Sequence, residues 1–202
     1  KEGLSHQEEA IEELFHSIDA DLKDTNADWI RLYRNEVAIE KQNPLNVPYQ
    51  HQLDNKSGQG GRECFSSCCA MVAMYYGKVS NDDEYNKVRS EYGDTVLASS
   101  HIKALASLGL KAEFITNATT DDLKRQIDEG RPTPCGWLHL GPWYKSRGHG
   151  HYAVIVGYTD DDWIVCDPFG EADLRNGSYR HTGSGENLNY SKRYWNPRWV
   201  VE

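Results

Sequence analysis

The chain has no apolar run long enough to cross a bilayer, a span that takes about 20 consecutive apolar residues, and no basic-then-apolar leader. Membrane insertion is therefore not expected. Basic residues are outnumbered, 22 Lys and Arg against 31 Asp and Glu, for a net charge of −9. Binding to a phosphate backbone needs basic surface, so no nucleic-acid partner is expected. An anionic polymer would have to be held by shape and local contacts. No internal repeat or low-complexity stretch appears. No CxxC pair exists either, and closed zinc sites usually show such recognisable spacing. His149-x-His151 is the nearest approach to a ligand pair, and the Asp160-Asp161-Asp162 turn reads as solvated acids. No metal or cofactor is expected. The cysteine count, five, is odd, which excludes a fully paired disulfide framework within one chain. What remains is a 202-residue chain, 38% hydrophobic, with room for one ordinary domain and an appendage. It opens on Lys1 rather than Met, as a processed product or a piece of something longer would.

What is present is organised around Arg62 to Gly77. A Gly-rich loop, Ser57 to Gly61, runs into Cys64 where a helix should begin. Cys68, Met71, Val72 and Tyr75 then recur at helical spacing on one stripe, and Gly77 supplies the stop. A thiol at a helix N-terminus meets the positive end of the helix dipole and unpaired N–H groups, and both favour thiolate. Cys64 therefore reads as a nucleophile, with burial in the core as the plain alternative for any free cysteine. Cys68 and Cys69 are expected in the core.

The second half favours the nucleophile. Gly150 to Tyr158 reads as a buried strand, Thr159 to Asp162 as a turn, and Trp163 to Pro168 as the returning strand. Such a hairpin carries Asp167 back beside His151. The imidazole would take the thiol proton, and the carboxylate would orient the ring and stabilise the imidazolium. His149 faces the same side as His151 and competes for the role of base.

Val47 to Asn55, Cys64 to Gly77, Gly150-His151-Tyr152 with Gly157-Tyr158, and Asp167-Pro168 together resemble the C39-like cysteine peptidases, over residues 45 to 202. That group is papain-like and frequent among phage and bacterial cell-wall enzymes. The resemblance implies an α+β papain-like fold, Cys64 as nucleophile, His151 as base, Asp167 as orienter and Gln52 as a side-chain oxyanion donor. The family often has Gly after the nucleophile, where this chain has Phe65; Phe65 is expected to meet substrate. The implied substrate is a peptide or peptidoglycan, cleaved as by a phage lysin or virion-associated lysin. Such a protein would be made in a host cytoplasm and act on the wall or travel with the virion. A leader-peptide processing peptidase, or an inactive papain-like binding or virion module, are the alternatives.

The rest of the chain falls into two parts. Residues 1–43 read as a helical extension: Ile11, Leu14, Phe15, Ile18 and Leu22 mark one apolar face. Asn26 caps a second helix with Trp29, Ile30, Tyr33 and Val37. Residues 4–42 are thus a candidate contact for an upstream domain or virion partner. Residues 42–48 read as extended linker, and 44–202 as the catalytic domain. Within it, helices are expected from Ser80 to Tyr92, Ser100 to Leu108 and Thr119 or Thr120 to Ile127, and strands over 110–115 and 131–140. The loop before His151 offers Trp143 and Tyr144 as exposed aromatics beside Lys145 and Arg147, a candidate substrate lip. His101 reads as surface or helix-face decoration. The aromatic tail reads as irregular, with Trp195 and Trp199 spaced to cover the back of the sheet, and the resemblance implies that it closes on a Trp-containing strand.

Overall fold

The computed structural model describes residues 42–148 and 150–199. Residues 1–41, His149 and residues 200–202 lie outside the described residues, and with them the expected helical extension and the rival base. Helices come first. The helix α1, Cys64–Tyr75, ends at Tyr76, and Gly77 turns the chain away at φ +64°. Helix α2, Asp82–Ser90, is capped by Asn81, whose side chain accepts from the Glu84 N–H, with Asp82, Asp83 and Glu84 on the favourable end of its dipole. The cap falls one residue beyond the expected Ser80. Helix α3 spans Ala98–Ser107, and α4, Thr120–Asp128, opens on a reciprocal capping box between Thr119 and Asp122.

Helix α1 is buried on almost every side, which its sequence stripe understates. Cys68 and Met71 join one core with the sheet residues Ala153, Ile155 and Val165. Phe65, Cys69, Ala70 and Ala73 join a second core with Tyr85 of α2 and Ala104 and Leu105 of α3. Small residues on the second face let the neighbouring helices approach closely, so α1 is the shared wall of both cores.

The sheet is antiparallel in the order β1-β2-β3-β6. Its strands are β1 Thr133–Trp137, β2 His151–Tyr158, β3 Asp162–Cys166 and β6 Leu188–Ser191. A short pair, β4 Glu171–Ala172 and β5 Tyr179–His181, stands apart from it. The β2–β3 ladder contains a bulge: Tyr158 pairs Trp163 and Gly157 pairs Ile164, but Ile155 pairs Val165 and Val154 pairs Cys166. Side chains alternate faces along a strand, so this one-residue slip decides which face Asp167 takes. Carried one residue on, the slipped register sets Asp167 opposite Ala153, on the face of His151. Without the slip it would stand opposite Val154, on the other face. The segment read as a linker secures this place: the Asn43 side chain bonds both the N–H and the C=O of Tyr158, and Leu45 N–H donates to Val156 O. Gly157 has no room for a side chain, because a Cβ there would lie 2.5 Å from Asn43 Oδ1.

Two readings of the sequence are corrected. Residues 110–115 alternate but form no strand; Phe114 and Ile115 are exposed, and alternation without a ladder partner does not hold an extended segment. The tail is more regular than it reads, and its closing element is a helix, α5 Lys192–Trp199, rather than a Trp-bearing strand. Trp195 is fully buried and tilted against Trp137 at 4.6 Å. Arg198 is buried beside it and donates to the carbonyls of Leu138, Leu140, Gly141 and Leu174. One guanidinium thus ties α5 to the loop that precedes β2. Arg198→Leu should lower stability by about 3 kcal/mol in urea unfolding, because buried carbonyls lose charge-assisted partners. Ile115→Ser should change it by less than about 0.5 kcal/mol, as expected of an exposed position.

Candidate active site

Cys64 stands at the first position of α1. The residue before it, Glu63, makes no side-chain cap, so the first N–H groups of the helix are not claimed by one. The turn that delivers Cys64, a 3₁₀ turn at Gly60–Arg62, is fastened to Gln52. Gln52 Nε2 donates to Gly60 O at 2.7 Å, and the Glu63 N–H donates to the same oxygen at 3.1 Å. A Cβ on Gly60 would lie 2.2 Å from the Gln52 carbonyl, so the approach requires glycine. The backbone N–H of Gln52 donates to Pro168 O, one residue beyond Asp167. Gln52 therefore links the turn before the thiol to the end of β3, with one Nε2 hydrogen not used on Gly60.

Imidazole and carboxylate meet in the interior. His151 Nε2 lies 2.8 Å from Asp167 Oδ1, which leaves Nδ1 for the hydrogen bond between His151 and Cys64. Asp167 is completely buried, and an ionised carboxylate there needs donors. It has them: the Phe169 N–H at 3.0 Å, Tyr190 Oη at 3.0 Å and Tyr179 Oη at 3.3 Å. Its backbone is held as well, by Gly185 O and the Tyr49 hydroxyl. Trp137, Phe169 and Tyr179 surround the His151 ring edge to face at 5.7–6.3 Å and keep water from it.

These surroundings separate Cys64 from the other thiols. Burial would raise its pKa, but the hydrogen bond and charge of His151, and the N–H groups of Tyr152 and Phe65, outweigh burial and bring it below the ordinary thiol value. Burial would likewise lower the pKa of His151; the charge and hydrogen bond of Asp167, helped by Cys64, raise it to about 10. The two shifts run in the same sense, each group favouring the charged form of the other. Cys69 and Cys135 are pushed up to about 12 by burial, Cys166 to about 11, and Cys68 well above the usual range.

The structure brings Cys64, His151 and Asp167 together and connects Gln52 to the turn beside them. It does not bring the other expected residues into one surface. Phe65, expected to meet substrate, is buried in the second core against His101 and Tyr152. The reason is that α1 is walled on almost every side, which leaves its second residue no solvent face. Trp143 is half-buried, its N–H bonded to Arg175 O and its ring near Tyr194, whereas Tyr144 is 74% exposed. His101 is an interior residue, bonded to Tyr85 Oη and Thr95 O, with its pKa lowered to about 4 by burial. Glu63, Tyr179 and Tyr190 were missed. Glu63 is buried and accepts from Asn55 Nδ2 and Ser57 Oγ, which steadies the turn before Cys64. The adjacency of Glu63 to Cys64 was the one signal for it; nothing local marked the tyrosines. Among the described residues, no three His, Cys, Asp or Glu side chains are grouped to hold a metal ion, and no helix is long and apolar enough to cross a membrane.

The profile of the Peptidase_C39 like family matches residues 44–197. The fold is similar to that of a Bacillus anthracis protein described as a C39-like peptidase, with a TM-score of 0.54 and 16% identity over 79% of this chain and 92% of that one. It also resembles the peptidase domain of Streptococcus ComA, a bi-functional ABC transporter involved in a quorum-sensing pathway. There the TM-score is 0.44 and the identity 20%, over 69% of this chain and 87% of the other. A comparison with curated proteins found no match. Helices that deliver a thiol to an antiparallel sheet bearing histidine and aspartate give this chain a papain-like fold. It belongs to the Peptidase_C39 like family.

Iodoacetamide should label Cys64 first among the five cysteines. Its rate should already be substantial at pH 6, as read by peptide mass spectrometry. His151→Ala should remove the advantage at low pH by taking away the cation, and labelling of Cys64 should then rise only near the ordinary thiol pKa of about 8.5.

Proposed function

We propose that Cys64 is the nucleophile, His151 the general acid–base and Asp167 the orienting carboxylate in hydrolysis of peptide bonds, with bacterial peptidoglycan as the substrate. The observation that carries the catalytic reading is the buried His151–Asp167 hydrogen bond at 2.8 Å, with the ring's second nitrogen turned to a thiol whose pKa is lowered. The Cys64 thiolate attacks the carbonyl carbon. In this reading the oxyanion accepts from the Cys64 N–H and the Gln52 amide. Collapse breaks the C–N bond, and His151 protonates the departing amine. The neutral imidazole then takes a proton from water as its oxygen attacks the thioester. A second oxyanion collapses to release the acid, and the thiolate–imidazolium pair is restored.

The wall substrate is supported by the resemblance of Val47 to Asn55, Cys64 to Gly77 and the His151–Asp167 hairpin to C39-like enzymes of phages and bacterial cell walls. In that reading the protein is a lysin, free or virion-associated, cutting stem peptides or cross-bridges. The net charge of −9 gives no general attraction to an anionic wall, so recognition falls to local contacts such as exposed Tyr144 on the lip before β2.

Incubation with purified peptidoglycan should release new amino groups and no new reducing ends, and Cys64→Ala should abolish the release. Reducing ends without amines would overturn the amide-bond reading. Gln52→Ala should lower kcat by about 10²–10³-fold with little change in KM, the usual effect of losing one oxyanion donor. The pH profile of kcat/KM should rise through the lowered pKa of Cys64 and fall through that of His151, at about 10. Asp167→Asn removes the charge that raises the His151 pKa, so its alkaline limb should move to lower pH.

A further inference from the structure

Each of the two reacting side chains is followed by an aromatic residue, and the two aromatics face each other. Phe65 and Tyr152 stack with ring centroids 3.9 Å apart and planes 4° from parallel. Free rings prefer offset or edge-on contact to a close face-to-face sandwich, so this one is held by its flanks. On the helical side, the His101 ring lies 4.1 Å from Phe65, and Tyr85 lies parallel to His101 at 6.0 Å with its hydroxyl 3.0 Å from Nδ1. On the sheet side, Gly136 lies under Tyr152, where even a Cβ would come within 3.2 Å of the ring. The column thus takes one residue from each of β1, β2, α1, α3 and α2, and crosses from sheet to helices just behind the thiol.

The same two residues supply the backbone N–H groups that bond to the Cys64 sulfur. Their ring separation therefore limits how far the start of α1 stands from the start of β2. It limits, by the same contact, how the donors and His151 close on the sulfur. We infer that the Phe65–Tyr152 stack is a built-in spacer that sets the Cys64–His151 distance, with Phe65 and Tyr152 as positioning residues that do not touch substrate. This rests on the Cys–His reading above.

The test measures the pH midpoint of Cys64 alkylation by peptide mass spectrometry, beside thermal melting and peptidase kinetics. Phe65→Leu keeps an apolar side chain and removes the ring. Its midpoint should move up by about one pH unit, slowing labelling at low pH about tenfold, while the protein still melts cooperatively; kcat should fall and KM stay unchanged. Tyr152→Leu should do the same, and the double variant should shift no further than either single one, as expected when both remove one contact. Tyr152→Phe, which keeps the ring, should retain the wild-type midpoint. A folded Phe65→Leu with the wild-type midpoint and kcat overturns the spacer. Should Phe65→Leu fail to fold, Tyr152→Leu decides by the same readout. A wild-type Cys64 without a lowered midpoint overturns the Cys–His reading itself, and the spacer with it.

Discussion

A carboxylate with no access to water governs this structure. Donors stand in for water around Asp167, and a buried charge left uncompensated would cost several kcal/mol. His151, the Phe169 N–H, Tyr179 and Tyr190 fill that need, and each comes from a different place along the chain. The segment from 168 to 187, with the small β4–β5 pair, and Tyr190 of β6 form the shell of one carboxylate. Gly185 belongs to that shell: a Cβ there would lie 2.0 Å from the Asp167 carbonyl. The chemistry follows from the same burial. A low-dielectric surrounding makes the Asp167 charge count strongly at the imidazole, and the charged imidazole in turn favours the thiolate.

Helix α1 answers the other half of the requirement. A nucleophile must not move relative to its base, and a helix walled in by two cores has little freedom to shift. Burial of Phe65, where the resembling family often carries glycine, takes that residue away from substrate and into the wall. The exposed lip is left to Tyr144, since Trp143 is occupied with Tyr194 and the Arg175 carbonyl.

Much of this was readable from the residues in order. Cys64 before a helical stripe, and two β-rich runs joined by a four-residue polar turn, are local patterns with local causes. Helix caps at Asn81 and Thr119 lay within one residue of the expected start because capping is a contact between near neighbours. The misreadings share another cause. Residues 110–115 alternate as a strand does, yet a strand exists only if another segment offers its backbone. His101 carries a polar ring that usually faces water, yet Tyr85 and Thr95 satisfy both of its nitrogens inside. In each case the deciding partner lies elsewhere in the chain.

The triad shows the division most clearly. Order and spacing of residues bring His151 and Asp167 to the same end of one hairpin, because a tight turn forces its strands to run back together. Which face Asp167 takes is another matter. It depends on a bulge at Val156–Gly157 that is secured by Asn43 and Leu45, more than a hundred residues earlier. A hairpin of the same length in straight register would aim the carboxylate away from the imidazole. Side-chain type and local periodicity are properties of neighbours in sequence; register, burial and the donors around a buried charge come from segments that meet only when the chain has folded.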